Sequence, residues 1–536
     1  VRGHYSDVWQ AVAAALPDRP AIVTRDETVD YARFAREAGA LAAHLQASGV
    51  AAGDSVAILM HNRPEYLTTL FATLATGVAP TPINYRFRAT EVADLLRDSG
   101  ARAIVYPATL GPVVAEAVAL TGTAPALVEV ADGGPGVPGA VPFGDVVAAS
   151  STLPPTPPPG GELRLYTGGT TGRPKAVVWA GEDIVSIQLF STYVSAGLPV
   201  PRTMADVVAA AADPGTRAPR TLPLAPFMHG TALFTSMNTL LRGGTVVINP
   251  SSSLDADDVV RLVLETAVTQ LVVAGDAVAI PLVEAAERAG LDRLGEVRSV
   301  LSSGMRFSDE TKGRLHDLGD ITVVDLLAST EGGPYAVALT HGRADLPARL
   351  RLLPGAVVLD VQQREVQDTP GATGVLAFRG TLPQGYFNDP VKTAETFRTI
   401  NGARHVVVGD WVEVLPDGYV ELLGRGSSVV NTGGEKVFPV EVENALLTFP
   451  GIADAVVFGV PDPRFGEVVA ATVVPDRGVE LDLTAVEAHL AARLAGYKKP
   501  RRIFVRPTLQ RSPHGKIDMR RLHQDAAQHM EEGIPS

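Results

Sequence analysis

The sequence predicts an α/β protein of more than one domain, with helix-wrapped parallel β-sheets over a large N-terminal region and a small α+β domain at the C-terminal end. Three observations carry this prediction. The chain has 536 residues, which at roughly 150 residues per domain corresponds to about three to four domains. Up to Leu339, short apolar runs alternate with longer helical patterns, as in parallel strands crossed over by helices. Near Arg379 the pattern changes to hairpins, and after Gly424 comes a unit of roughly 110 residues, long enough to fold alone.

Residues 55–60 read as a buried strand, and 64–71 open a helix with Pro64 and Glu65 in its first turn. Residues 91–97 form a second helix and 103–106 a second strand. The stretches 132–141 and 151–161 are dense in Pro and Gly and read as surface loops or a subdomain seam. Residues 196–220 are weakly patterned, which fits a lid, an insertion or a plain surface loop. Residues 411–415 and 419–422 alternate across an Asp417-Gly418 turn as an antiparallel hairpin. The C-terminal unit reads as a helix from Pro439, strands at 455–460 and 468–474, a helix around 484–494, a strand at 503–505 and a last helix after Lys516.

Composition removes several function classes. Cysteine is absent, which excludes disulfides, thiolate metal sites, iron–sulfur clusters and a cysteine nucleophile. The net charge of −13 argues against nucleic acid as a main partner, because displacing counterions from phosphates needs a basic face. No run of about 20 apolar residues is free of charge, Pro and Gly, so no membrane span is expected. The first residues open directly into an amphipathic pattern without an apolar signal core, and a cytoplasmic location is the expectation. Lysine is scarce, at seven of the 46 basic residues.

One of the seven ends the segment Tyr166-Thr167-Gly168-Gly169-Thr170-Thr171-Gly172-Arg173-Pro174-Lys175, which lies between the apolar runs 163–166 and 176–179. The glycines free backbone N–H groups to curl round an anion, three threonine hydroxyls add donors, and Lys175 supplies a point charge. These are the parts of a phosphate cradle. The Gly-Lys-Ser/Thr ending of the P-loop NTPases is absent, and a strand rather than a helix is expected next. In isolation, a hairpin turn explains such a segment equally well.

The segment resembles the phosphate loop of the adenylate-forming superfamily, which holds acyl-CoA synthetases, firefly luciferase and peptide-synthetase adenylation domains. The resemblance runs in order along nearly the whole chain. It takes in Asn62-Arg63-Pro64-Glu65, Pro82-Ile83-Asn84-Tyr85-Arg86, Pro226-Phe227-Met228-His229-Gly230, Ser303-Gly304 and Ser329-Thr330-Glu331. It continues through Gly409-Asp410-Trp411, Gly424-Arg425, the run from Gly433 to Pro439, Glu443, and Pro513-His514-Gly515-Lys516-Ile517. On these matches the chain is identified as a member, and the acyl-CoA ligase branch is favoured because no carrier domain follows the last helix.

The resemblance implies stacked sheets in an N-terminal acyl- and nucleotide-binding domain at 1–424, a hinge at 425–428 with Ser428 as its pivot, and a mobile C-terminal domain at 429–536. It implies ATP- and Mg²⁺-dependent acid:CoA ligation. A carboxylate attacks the α-phosphate of ATP, pyrophosphate leaves, and coenzyme A takes the acyl group from the acyl-adenylate. By position, Thr167, Thr170, Thr171 and Lys175 hold the β- and γ-phosphates, Thr330 lies beside the α-phosphate, and Glu331 holds Mg²⁺. Asp410 binds the ribose, assisted by Arg425. Lys516 stabilises charge at the reacting oxygens, and His229 sits in the active site. Gly433, Gly434, Glu435 and Lys436 lie on the face that the C-terminal domain turns toward coenzyme A in the second step. Each of these residues also has a plainer reading: Asp410 as a turn cap, Arg425 as a surface ion-pair partner, Lys516 as the start of a helix.

Several positions depart from the family pattern. Gly168 stands where Ser is common, Leu327-Ala328 where an aromatic-Gly pair stacks on adenine, Val408 where Thr precedes Gly-Asp, Met305-Arg306 where a small residue precedes Pro, and Ser428 where the hinge is Asp or Lys. Such contacts are worth on the order of 1–3 kcal/mol each, enough together to slow adenylation by orders of magnitude unless the changes are tolerated drift. Two alternatives to a full ligase therefore stay open: an enzyme that mainly makes the thioester from a preformed acyl-adenylate, and a noncatalytic acyl-adenylate or nucleotide binder. The expected acyl pocket is lined by Met228, Thr231, Leu233, Met237, Ser303, Gly304, Met305 and Leu327. Thr231 replaces a frequent bulky aromatic and no carboxylate awaits an amino group, so the expected substrate is an apolar acid, fatty or bulky and cyclic. Core filling is the plain alternative for Met228 and Met237, as is a buried structural role for His229. The oligomeric state stays open, a homodimer included.

Overall fold

The computed structural model describes residues 3–149, 151–154, 161–167, 174–195, 198–215, 217–425, 430–432, 435–462, 466–494, 496–511, 517, 519, 521–523 and 526. The chain divides into two compact units, Val1–Ala348 with Arg379–Val406, and Arg349–Phe378 with Val407–Ser536.

Among the described residues, the first unit holds three sheets. One is all-parallel, in the spatial order Ala79–Pro82, Ser55–Ile58, Ala101–Pro107, Ala126–Val130, Val141–Pro142. Ser55–Ile58 is buried at every residue, as an internal strand covered on both faces must be. The second sheet runs Thr28–Asp30, Pro20–Val23, Thr245–Val247, Arg220–Pro223, Gln270–Val273, Ser299–Ser303, Thr322–Ser329, Gly332–Thr340, parallel except for its first and last pairs. The third is antiparallel, with Lys175–Ala180 between Gly385–Tyr386 and Glu162–Thr167. Because the strands ending at Pro223, Val273, Ser303 and Ser329 are parallel, their C-terminal ends share one edge of the sheet, and the helix Gly230–Leu241 that comes after Pro223 starts there. In open α/β sheets that edge is where ligands bind.

An aromatic cluster ties the N-terminal helix Tyr5–Ala15 to the helices Tyr31–Ala47 and Pro64–Ala75. The Trp9 ring lies 5.0 Å from Phe34 and 4.2 Å from Phe71, and all three are fully buried. Pro64 at the first turn and Glu65 behind it start the third of these helices, as its sequence predicts.

In the second unit, Leu350–Leu352 and the end of Ala403–Val414 flank Tyr419–Arg425, and Ala356–Leu359 pairs with Thr373–Arg379. The C-terminal sheet runs Glu435–Val437, Val430–Thr432, Gly466–Pro475, Ile452–Asp462, with Arg502–Val505 parallel to Gly466–Pro475. The helices Pro439–Leu447 and Leu483–Ala491 close its core through Val442, Leu446, Val486 and Leu490.

The hairpin ending at Arg425 packs on the C-terminal helix Pro439–Leu447 and the residue before it: Trp411 lies 6.1 Å from Phe438, and a Cβ on Gly424 would meet Val440 at 3.3 Å. The segment 196–220 contains a helix, Met204–Ala212, started by a reciprocal cap in which Thr203 accepts from the Asp206 N–H and Asp206 accepts from that of Thr203. Among the described residues, no helix is long and apolar enough to cross a membrane. The expected hinge residue Ser428 lies outside the described residues.

Candidate active site

The expected phosphate loop connects the two strands of a hairpin. Thr167 and Lys175 face each other on the last rung between Glu162–Thr167 and Lys175–Ala180, so a strand does come after the loop. Gly168, Thr170 and Thr171 lie outside the described residues. The Lys175 ammonium is ion-paired with the Asp389 carboxylate. Asp389 is also the N-cap of the helix Pro390–Thr396, accepting from the Lys392 N–H at 2.8 Å. Those two donors, Lys175 foremost, hold the Asp389 carboxyl below the usual carboxylate range.

Thr330 and Glu331 form the two-residue connection between Thr322–Ser329 and Gly332–Thr340, closed by the Ser329–Gly332 rung. Glu331 Oε1 accepts from the Tyr386 hydroxyl at 2.9 Å and from the Thr167 hydroxyl at 3.3 Å. The Thr330 carbonyl accepts from Trp179 Nε1 at 3.0 Å. A Cβ on Gly230 would lie 3.9 Å from Thr330 Oγ1, so the helix Gly230–Leu241 starts beside this turn. His229 occupies the N-cap position of that helix without a side-chain cap bond. It is exposed, which removes the reading of a buried core histidine.

The expected acyl residues gather around the same edge. Ser303 is buried at the end of its strand, and Gly304 comes next at φ +80° with open space where a Cβ would project. Met305 and Leu327 are half-buried, as is Thr231. Met228 is buried, and Leu233 and Met237 belong to the large apolar core of the first unit.

In the second unit Asp410 and Arg425 are opposite each other on one rung of their hairpin, which brings the two expected ribose-side residues together, and Asp410 is buried. Gly433, Gly434 and Lys516 lie outside the described residues. The backbones of Glu435 and Lys436 pair with Thr432 and Asn431.

The donor set around Glu331 suits Mg²⁺. A carboxylate and two hydroxyls are hard oxygen ligands, and among the described residues no group of three His, Cys, Asp or Glu could hold a metal alone. A cation held by one or two carboxylates and by substrate phosphates fits this arrangement.

Residues 9–387 match the model of the AMP-binding enzyme, and residues 441–516 that of the AMP-binding enzyme C-terminal domain. The chain belongs to the AMP-binding enzyme family. A medium-chain acyl-CoA ligase of Mycobacterium avium is 36% identical, covering 97% of this chain and 97% of its own. A ligase of Mycolicibacterium smegmatis, named for medium- and long-chain fatty acids and 3-oxocholest-4-en-26-oate, is 35% identical over 96% of this chain and 95% of its own. The fold of an anthranilate CoA ligase solved with anthranoyl-AMP superposes with a TM-score of 0.81 at 20% identity, covering 98% of both chains. This AMP-binding enzyme is thus an acid:CoA ligase that works through an acyl-adenylate, with ATP, Mg²⁺ and coenzyme A as its small-molecule partners.

The sequence reading missed Tyr386, Asp389 and Trp179. Locally, Gly385-Tyr386-Phe387-Asn388-Asp389-Pro390 shows only a turn and then an N-cap with Pro at N1. What brings it to the site is the pairing of Gly385–Tyr386 with Val177 and Val178, more than 200 residues earlier in the chain.

Proposed function

We propose that this enzyme activates apolar carboxylic acids of medium to long chain, and bulky cyclic ones, in the cytoplasm. The observation that carries the reading is the Thr330–Glu331 turn. On one side it meets the Thr167–Lys175 rung through Thr167, and on the other the start of the helix that bears Thr231, Leu233 and Met237. Nucleotide phosphates and an acyl carboxylate held at those two places would meet at the turn, so positioning and charge neutralisation would do the chemistry. The names of the two mycobacterial relatives, one a medium-chain acyl-CoA ligase and the other a ligase for medium- and long-chain fatty acids and a sterol acid, support the choice of an apolar acid.

In this reading Thr167, Thr170, Thr171 and Lys175 grip the β- and γ-phosphates, and Glu331 holds Mg²⁺, which when bound neutralises phosphate charge. Thr330 bonds the α-phosphate, Asp410 and Arg425 orient the ribose, and Lys516 approaches the oxygen that joins carboxylate to α-phosphate. The chain then pivots at 425–428, with 1–424 as the static domain and 429–536 as the mobile one, and Gly433 to Lys436 line the thiol's path. The test offers coenzyme A with acid plus ATP, or with synthetic acyl-adenylate. Comparable thioester yields are expected. Thioester from the adenylate alone would reduce the enzyme to its second step, and none from either would leave a binder.

A further inference from the structure

The helix Gly230–Leu241 has two faces. Ala232, Leu233, Ser236, Met237 and Leu240 are buried. Thr231, Phe234, Thr235, Asn238 and, one step past its end, Arg242 are half-buried, and steps of three and four place them on one stripe. Each residue of this stripe is partly covered. The stripe begins beside Thr330, and its far part is polar.

There the helix Gly181–Ser195 packs against it. Asn238 Nδ2 reaches Ser191 Oγ at 3.5 Å, and Gln188 Nε2 donates to the Met237 sulfur at 3.7 Å. Gln188 is 1% exposed. Gln188 Oε1 and Asn238 Oδ1 are both buried without a hydrogen-bond partner among the described residues. Two buried amide oxygens left unmet, beside two long and weak donations, call for a ligand or water that satisfies them. Eight residues separate Asn238 from Gly230, about 12 Å along the helix axis at about 1.5 Å per residue.

We propose that Gln188 and Asn238 form a polar subsite of the acyl site that hydrogen-bonds an oxygen function, a hydroxyl or a ketone, on the tail of the acid, about 12 Å from the Gly230 end of the helix. The proposal rests on the reading of the helix Gly230–Leu241 as the wall of the acyl site. A hydroxyl donates to the amide oxygens once the side chains turn toward it. A ketone is met by the NH₂ groups after half a turn of either amide. A plain hydrocarbon tail leaves both amides unsatisfied, and a site built to bond an oxygen rejects the analogue without it.

The experiment compares kcat/KM for thioester formation from two acids of equal length, one saturated and one carrying a hydroxyl or keto group at that reach. Wild-type enzyme is expected to favour the oxygenated acid at least about tenfold. In the double variant Gln188→Leu with Asn238→Leu, which replaces the amides with apolar groups of similar size, the preference is expected to vanish or reverse. Its melting curve reports whether it folds. A wild-type ratio near one, as when water fills the subsite, overturns the proposal without any variant, and so does a preference that survives in the folded double variant. Failure to make thioester from any acid would instead count against the proposed ligase function.

Discussion

Replacing Asp389 with Asn tests whether Lys175 serves the nucleotide. The substitution removes one negative charge and keeps the N-cap of the helix Pro390–Thr396, because Asn caps as well as Asp, so the Lys392 N–H remains bonded. Lys175 and Asp389 are 26% and 27% exposed. A bare pair in contact at about 3 Å and an effective dielectric of about 20 attracts by about 5 kcal/mol, of which desolvation and screening leave about 1 kcal/mol at so open a site. An incoming phosphate must displace that attraction, so its removal is expected to lower KM for ATP by about fivefold. The assay is ATP–pyrophosphate exchange with ATP varied at saturating acid. KM for the acid is the control and should stay constant. An unchanged or raised KM for ATP in a variant of wild-type melting temperature would refute the role given to Lys175.

Three further outcomes are expected. Glu331→Gln should cut pyrophosphate exchange by about a hundredfold or more and raise the Mg²⁺ concentration needed for half-maximal rate, because removing a charged ligand forfeits several kcal/mol of electrostatic stabilisation; a normal Mg²⁺ titration would deny Glu331 that place. Lys516→Ala should abolish adenylation while sparing thioester formation from synthetic acyl-adenylate, and equal loss of both would contradict a two-face mechanism. Burial holds His4 below its ordinary pKa of 6.5, so the unfolded chain binds a proton there more readily, and stability is expected to fall as pH drops below about 6.5. His4→Asn keeps a capping side chain for the helix Tyr5–Ala15 and should shrink the shift in urea midpoint between pH 7.5 and 5.5.

What could be read in the sequence was what neighbours decide. The short apolar runs 163–166 and 176–179 flank a Gly/Thr turn, and that local pattern suffices for the hairpin that positions Thr167 and Lys175. Pro64 and Glu65 announce a helix start in the same way. The Thr203-x-x-Asp206 cap was equally local, yet the Pro- and Gly-rich surroundings of the helix Met204–Ala212 masked it. Tyr386 and Asp389 reach the site only because a two-residue strand pairs with one formed over 200 residues earlier, and nothing in a short window encodes such a pairing. The grouping of 349–378 with the C-terminal part has the same origin, in antiparallel rungs such as Leu350 with Val420. The Gln188 and Asn238 amides escaped notice because a polar residue on a helix is ordinary until its surroundings prove dry.

Tyr386 and Asp389 stand three residues apart, one bonded to the carboxylate expected to hold the metal and the other to the lysine expected to hold the phosphates. The two grips therefore hang from a single short stretch of backbone. An engineer who shifts it to retune nucleotide preference will disturb cation dependence in the same stroke, so variants here should be screened with both concentrations varied together. Changes meant to broaden the range of acids are better placed on the helix Gly230–Leu241, which approaches the turn from its other side.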